Sequence, residues 1–202
     1  MRVLQELKSP RFEGGSPIAE TAALNPQELY GTCKRSLFEA TQQFAAFTGL
    51  SVATPRVFYS YGPYEDTRRL VPSIVLSLLR GLPASVTPGG QVRDYLHVED
   101  VASAIWRVAA SELTGAVNIA SGEPVTIAEI AARVGQLLGK SELINLGALP
   151  YRQGEPMQIL SDVTILRQRL GWTPRFALDH GLTETVHWWE SRHAAESGQA
   201  RN

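Results

Sequence analysis

The sequence holds a single cysteine, Cys33, so no disulfide closes within the chain and no cysteine cluster holds zinc. It has almost no net charge: 19 basic residues stand against 20 acidic ones. Lysine and arginine are scattered, which excludes the basic face that nucleic acid or anionic lipid requires. No run reaches the roughly 18 apolar residues of a membrane-crossing helix. The four histidines, His97, His180, His187 and His193, include no pair at the i, i+4 spacing of helical ligands, so no metal site is expected. The opening MRVLQELKSPRFEGG lacks the apolar stretch of a secretory signal, and a cytoplasmic protein is expected. The most informative gap is a further one: no glycine-rich nucleotide-binding turn precedes Tyr30.

What is present suffices for a core. The chain has 202 residues, 44% of them hydrophobic, which fits one domain or a domain and a half. Residues 1–24, with Ser9-Pro10 and Gly14-Gly15-Ser16-Pro17, read as loop. Asn25-Pro26-Gln27-Glu28 reads as a helix start, with Asn25 capping, Pro26 in the first helical position and Glu28 at the capping-box spacing. Leu29, Cys33, Leu37, Phe44 and Phe47 supply the apolar face, Cys33 is expected to be buried, and Gly49 ends the helix.

Strands are expected at 50–58, 91–98, 116–120 and 144–146. Helices are expected at 71–80, from Asp100 to Ala110, from Thr126 to Gly139 with Glu129 completing a capping box, at 162–170, and from Asp179 to Arg192. The tail from residue 193 reads as frayed. Strands separated by helices predict an α/β fold.

The chemistry starts at Tyr30 and Lys34, which share one helix face at i, i+4. A free tyrosine is a poor base at neutral pH, and a neighbouring ammonium favours the phenolate. Such a phenolate takes a proton from a sugar hydroxyl or returns one to a ketone. Further along come RVFYSYGP at 56–63, VRDYLHVEDV at 92–101 and YRQGEP at 151–156. A guanidinium recognises a diphosphate by charge-assisted, directional bonds, so Arg93 and Arg152 are candidates for that role. His97 reads as a hydrogen-bonded structural histidine.

Together these segments resemble the extended short-chain dehydrogenases, the NAD-dependent epimerase/dehydratase family that modifies nucleotide sugars. NPQELYGTCK resembles its P-x-x-x-Y-G-x-x-K helix. RVFYSYGP resembles R-x-x-N-x-Y-G-P, VRDYLHVEDVA resembles R-D-[YF]-[IL]-H-V-x-D-[VL]-A, and YRQGEP with LGWTPR resembles the ending R-x-G-[DE]…LGW-x-P. The match spans about residues 25–190 in the family's order.

The resemblance implies catalysis by Tyr30 as general acid or base. It implies that Lys34 binds the nicotinamide ribose, so both residues contact NAD or NADP. Arg93 and Arg152 would hold the diphosphate of a nucleotide-diphosphate sugar, and Glu155 would contact the ribose or support Arg152. Tyr59 stands where the family carries a substrate-contacting asparagine, so that contact is altered here. The resemblance also implies a homodimer through helix 26–48. It assigns residues 1–62 and strand 116–120 to the end of a Rossmann-like domain. Residues 63–115 and 121–192 go to a smaller α/β substrate domain, and 193–202 form a tail.

The implied reaction is hydride transfer at a sugar carbon, ending in epimerisation, reduction or dehydration, with the first two favoured. Because the G-x-x-G-x-x-G half is absent, the chain reads foremost as a truncated enzyme, inactive alone. One part of a split enzyme or a non-catalytic nucleotide-sugar binding module are the alternatives.

Overall fold

A computed structural model describes residues 16–199, so Ser9-Pro10, Gly14-Gly15 and residues 200–202 lie outside the described residues. The chain forms two compact units. Unit one comprises residues 16–60, Asp94–Pro124 and Gln158–Arg175. Unit two comprises Tyr61–Arg93, Val125–Met157 and residues 176–199.

In unit one, β1 (Ala53–Val57) runs parallel to β5 (Gly115–Ile119), in register from Ala53 opposite Gly115 to Val57 opposite Ile119. The other edge of β1 meets no strand among the described residues. An edge strand tolerates Pro55, which has no N–H to donate. Helix α3 (Val98–Ala109) packs on both strands. Its buried face is Val101, Ala104 and Val108. These join Phe58, Leu96, Val117, Ile119, Leu166 and Trp172 in one apolar cluster.

Helix α1 (Leu29–Thr48) departs from expectation at its start. Glu28 is the cap residue, with no side-chain cap bond, and Asn25 and Pro26 lie outside the helix. The incoming chain is tied elsewhere, by Arg35 Nη1 donating to the Leu24 carbonyl at 3.1 Å. Gly49 ends the helix as expected, at φ 74° with its N–H on Ala45 O. The expected apolar face is also not the buried one. Leu29, Leu37, Phe44 and Phe47 are exposed, as is Cys33, because no described element covers them. The packed stripe instead runs through Gly31, Phe38, Thr41, Gln42 and Ala45.

In unit two, helices α2 (Leu70–Leu79), α4 (Ile127–Leu137) and α5 (Leu178–Gln199) pack on one another. They bury Val71, Ile74, Val75, Leu78, Ile130, Val134, Leu182 and Trp189. The Thr126–Glu129 capping box forms as read from sequence, with Thr126 Oγ1 accepting from Glu129 N at 3.1 Å. The Glu129 carboxylate accepts from Thr126 N at 2.8 Å, which holds it below the usual carboxylate range. Strands β3 (Ala84–Val86) and β7 (Ile144–Leu146) pair in parallel. Helix α5 continues past Arg192 to Gln199, so the frayed tail expected from 193 is helical that far.

Strands β2 (Tyr59–Tyr61), β4 (Val92–His97) and β6 (Pro124–Thr126) form a sheet in that order, with β8 (Gln158–Ile159) paired to β4. The chain leaves or enters a unit within β2, β4 and β6. This division differs from the expected one. Residues 94–115, 121–124 and 158–175 belong with unit one, because α3 and the 162–172 segment build the core around β1 and β5. The expected helix at 162–170 is a single π-helical turn, Ile165–Arg169. The α/β class itself is as expected.

Candidate functional site

In unit one, the first half of α1 and all of β1 line a cavity of about 580 Å3. Tyr30 and Lys34 both line it. One helical turn separates them, and the Lys34 ammonium stands 5.7 Å from the Tyr30 ring centroid. Tyr30 is 40% exposed, so its ring is reachable from solvent. Gly31 and Thr54–Arg56 complete the near wall.

Tyr59 packs its ring against Tyr95, centroids 5.4 Å apart, and against the apolar cluster of unit one. The same unit contains a buried carboxylate that the motif reading passed over. Asp94, next to Arg93, accepts from Ser121 N at 2.7 Å, Ser121 Oγ at 2.6 Å and Gly122 N at 2.9 Å. Burial pushes its carboxyl up, and these hydrogen bonds pull the other way. Asp94 thereby fixes the turn after β5. Arg167 Nη2 reaches the Ser121 carbonyl in that turn at 2.8 Å. The R-D pair was the available signal, since two adjacent opposite charges inside a strand need partners. His97 is structural as read: it caps α3, with Nδ1 accepting from Glu99 N at 3.4 Å.

In unit two, Arg93 is 3% exposed. Its Nη2 donates to Glu155 Oε1 at 3.0 Å, and its Nη1 donates to the carbonyls of Val92 at 2.9 Å and Met157 at 3.3 Å. The other Glu155 oxygen accepts from Gln91 Nε2 and from the Arg152 backbone N–H, each at 3.4 Å. Gln91 in turn accepts from Thr87, and the Tyr151 hydroxyl accepts from Gly90 N. Glu155 therefore supports the Arg93 guanidinium and only the backbone of Arg152. The Arg152 side chain is exposed and makes no ion pair among the described residues. Sequence reasoning missed Gln91 and Tyr151, which organise the turn carrying Arg152.

Unit one thus sets a parallel strand pair beside a helix that brings a tyrosine and a lysine to one cavity. The family model described as GDP-mannose 4,6 dehydratase matches residues 13–185, and the chain belongs to that family, within the NAD-dependent epimerases and dehydratases. Among curated proteins, the chain is 28% identical over 182 residues to a dTDP-glucose 4,6-dehydratase of Xanthomonas campestris. That match covers 85% of this chain and 52% of the relative. It is 31% identical over 137 residues to UDP-glucuronic acid decarboxylase 5 of Arabidopsis thaliana, covering 66% of this chain and 40% of the relative.

Among solved structures, it superposes on a UDP-glucose 4-epimerase with UDP-glucose from Thermotoga maritima, with TM-score 0.81 and 27% identity. That likeness covers 88% of this chain and 58% of the other. A Bacillus anthracis dTDP-glucose 4,6-dehydratase in complex with NAD gives TM-score 0.80 at 26% identity, covering 90% and 58%. The chain thus spans about half the length of the curated relatives it matches. No helix among the described residues is long and apolar enough to cross a membrane.

Proposed function

We propose that this chain is the substrate-handling part of a cytoplasmic enzyme that modifies a nucleotide-linked sugar, with Tyr30 as general acid and base. The observation that carries this reading is the Tyr30–Lys34 pair, set one turn apart on the wall of the 580 Å3 cavity. Such a pair fits the nicotinamide end of NAD or NADP: Lys34 would hold the ribose hydroxyls and Tyr30 would face the reacting sugar carbon. Held there, NAD or NADP would supply hydride chemistry at that carbon. Tyr30 would take the proton of the sugar hydroxyl and return it to the same oxygen.

In unit two, Arg152 is the free guanidinium for a diphosphate. Arg93 supports it from within: buried, with its fork on Glu155 and two backbone carbonyls, it fixes the Glu155 carboxylate that steadies the Arg152 backbone and adds its positive charge to the site. Tyr59 keeps to its packing role and offers its ring edge, not an amide, to the sugar. Family model and relatives include 4,6-dehydratases, so dehydration stands beside epimerisation as the net outcome. The exposed Leu37, Phe44 and Phe47 support a homodimer through α1. The same exposed face also favours a second reading, a split enzyme completed by another polypeptide.

The test is Tyr30→Phe in the protein containing this chain. A fall in kcat of roughly 100-fold or more, with nucleoside-diphosphate affinity kept within about two-fold, is expected. Unchanged kcat overturns the acid–base assignment. In a binding module Tyr30→Phe changes nothing, whereas Arg152→Ala still abolishes nucleotide binding.

A further inference from the structure

In unit two, the turn from Thr87 to Gln91 stands on the start of α4. The Gly89 carbonyl accepts from Ala128 N and the Gln91 carbonyl from Ile127 N, each at 3.0 Å. Gly89 holds φ 81°, and a Cβ there would lie 2.7 Å from Ala128, so this seat requires glycine. The turn from Leu149 to Met157 hangs from that platform at both ends. Leu149 N donates to Val86 O at 3.2 Å, and Met157 O accepts from Val92 N at 2.7 Å. Between them the Tyr151 hydroxyl accepts from Gly90 N at 3.1 Å.

Two apolar side chains of the hanging turn stay open to solvent: Tyr151 is 38% exposed and Met157 43%. Both reach Gly90, which is itself exposed. A Cβ built on Gly90 would meet the Tyr151 hydroxyl at 3.0 Å and Met157 Cε at 3.6 Å. Ring, bare Cα and thioether methyl therefore lie side by side as one shelf, with the ring pinned at its hydroxyl end. Among the described residues no aromatic ring or guanidinium stacks on Tyr151. The polar groups of the platform are spent. Thr87 Oγ1 donates to Gln91 Oε1 and accepts from Gly89 N, and Gln91 Nε2 donates to Glu155. A flat group on the shelf is thus held by its face and not read at its edges by those atoms. The charge left over is Arg152, adjacent to Tyr151 in the chain, exposed and without an ion pair among the described residues.

We propose, resting on the assignment of the substrate's diphosphate to Arg152, that Tyr151 and Met157 seat the nucleobase by stacking and that this seat favours a purine over a pyrimidine. Every base has a π-face, so stacking admits all of them and ranks them by contact. A two-ring purine covers Tyr151 and extends over Gly90 to the Met157 methyl, whereas a one-ring pyrimidine leaves part of the shelf in water. Hydrogen bonds to a base edge would discriminate far more steeply, because a wrong base leaves buried polar groups unpaired. Here the preference is graded.

The test is calorimetric titration of the protein with GDP, UDP and inorganic pyrophosphate at neutral pH; GDP serves as the purine because adenine is the base of NAD itself. GDP is expected to bind about five-fold or more tightly than pyrophosphate, with UDP between them. Tyr151→Leu should take about that much from GDP and leave pyrophosphate within about two-fold. Tyr151→Phe keeps the ring and loses only the bond from Gly90, so it should hold GDP within about three-fold of the wild type. Arg152→Ala should weaken all three ligands alike. UDP bound as tightly as GDP, GDP bound no more tightly than pyrophosphate, or Tyr151→Leu weakening pyrophosphate as much as GDP each overturns the stacking seat and leaves Arg152 as the diphosphate's guanidinium. A loss for Tyr151→Phe as large as that for Tyr151→Leu does the same. Binding of none of the three by the wild type overturns the diphosphate assignment and the stacking seat together.

Discussion

Glu155 holds Arg93 at 3.0 Å, in a pair whose arginine side chain is 3% exposed and whose glutamate is 21% exposed. The same carboxylate steadies the backbone of Arg152, three residues earlier in the chain. One glutamate thus organises both arginines of the proposed diphosphate site. Glu155→Ala leaves a buried guanidinium without its counter-charge. A loss of about 2–4 kcal/mol in urea unfolding is expected, less than for a fully buried pair because Glu155 keeps some water contact. Arg93→Lys should not restore the network, because an ammonium cannot serve Glu155 and two carbonyls in the same fork.

Glu65 makes stability depend on pH. Its folded-state pKa is raised, from 4.5 to about 8. The folded protein therefore keeps a proton that the unfolded chain releases. Its contribution is fully present below about pH 4.5 and is lost progressively as pH rises to about 8. Unfolding free energy measured in urea should fall across that window, by a few kcal/mol at most once partial solvent contact is allowed for. Glu65→Gln should remove this part of the slope.

Asp94 accepts three hydrogen bonds from the turn at Ser121 and Gly122. Asp94→Ala strands two backbone N–H groups and a hydroxyl in the core of unit one. A loss of about 3–5 kcal/mol is expected, with Asp94→Asn costing less because its amide oxygen still accepts. Thermal denaturation of the three proteins orders them.

Gly181 sits inside α5, where alanine would normally stabilise a helix by about 1 kcal/mol. Here a Cβ would lie 2.1 Å from the Tyr61 hydroxyl, and Tyr61 is almost fully buried. Gly181→Ala should therefore destabilise, by about 1–3 kcal/mol. Tyr61→Phe in the same chain should recover part of that loss, a coupling that a double-mutant cycle reads directly.

If α1 forms the dimer contact, Phe44→Asp with Phe47→Asp should shift the sedimentation coefficient to that of a monomer. The melting temperature of the monomeric unit should be unchanged, since both rings are exposed within it. A coefficient that does not move would place the dimer contact elsewhere.

Local rules were legible where the interaction is local. The Thr126–Glu129 box forms within four residues, and α4 starts where those two residues say it does. Asn25 and Glu28 satisfy the same spacing, yet α1 begins later, because Arg35 holds the incoming chain by the Leu24 carbonyl. Periodicity announced that α1 is amphipathic but not which stripe meets protein. Phe38 is held by β1 through Arg56, whose guanidinium lies 5.0 Å from the Phe38 ring centroid, and no strip of sequence reveals that. Strands of two or three residues, such as β6 and β8, exist only through partners distant in sequence. At the candidate site, the Tyr30–Lys34 pair and the two arginines were readable from their motifs. That Glu155 serves the side chain of Arg93, 62 residues away, was not.

The outward-facing Leu37, Phe44 and Phe47 also govern how the polypeptide behaves in the laboratory. Overproduced by itself, it presents a sticky ridge of the sort that chaperones retain and that drives material into inclusion bodies. Exchanging Phe44 and Phe47 for glutamate or lysine, neither of which lines the cavity of Tyr30 and Lys34, is the direct route to a preparation soluble enough for crystallisation.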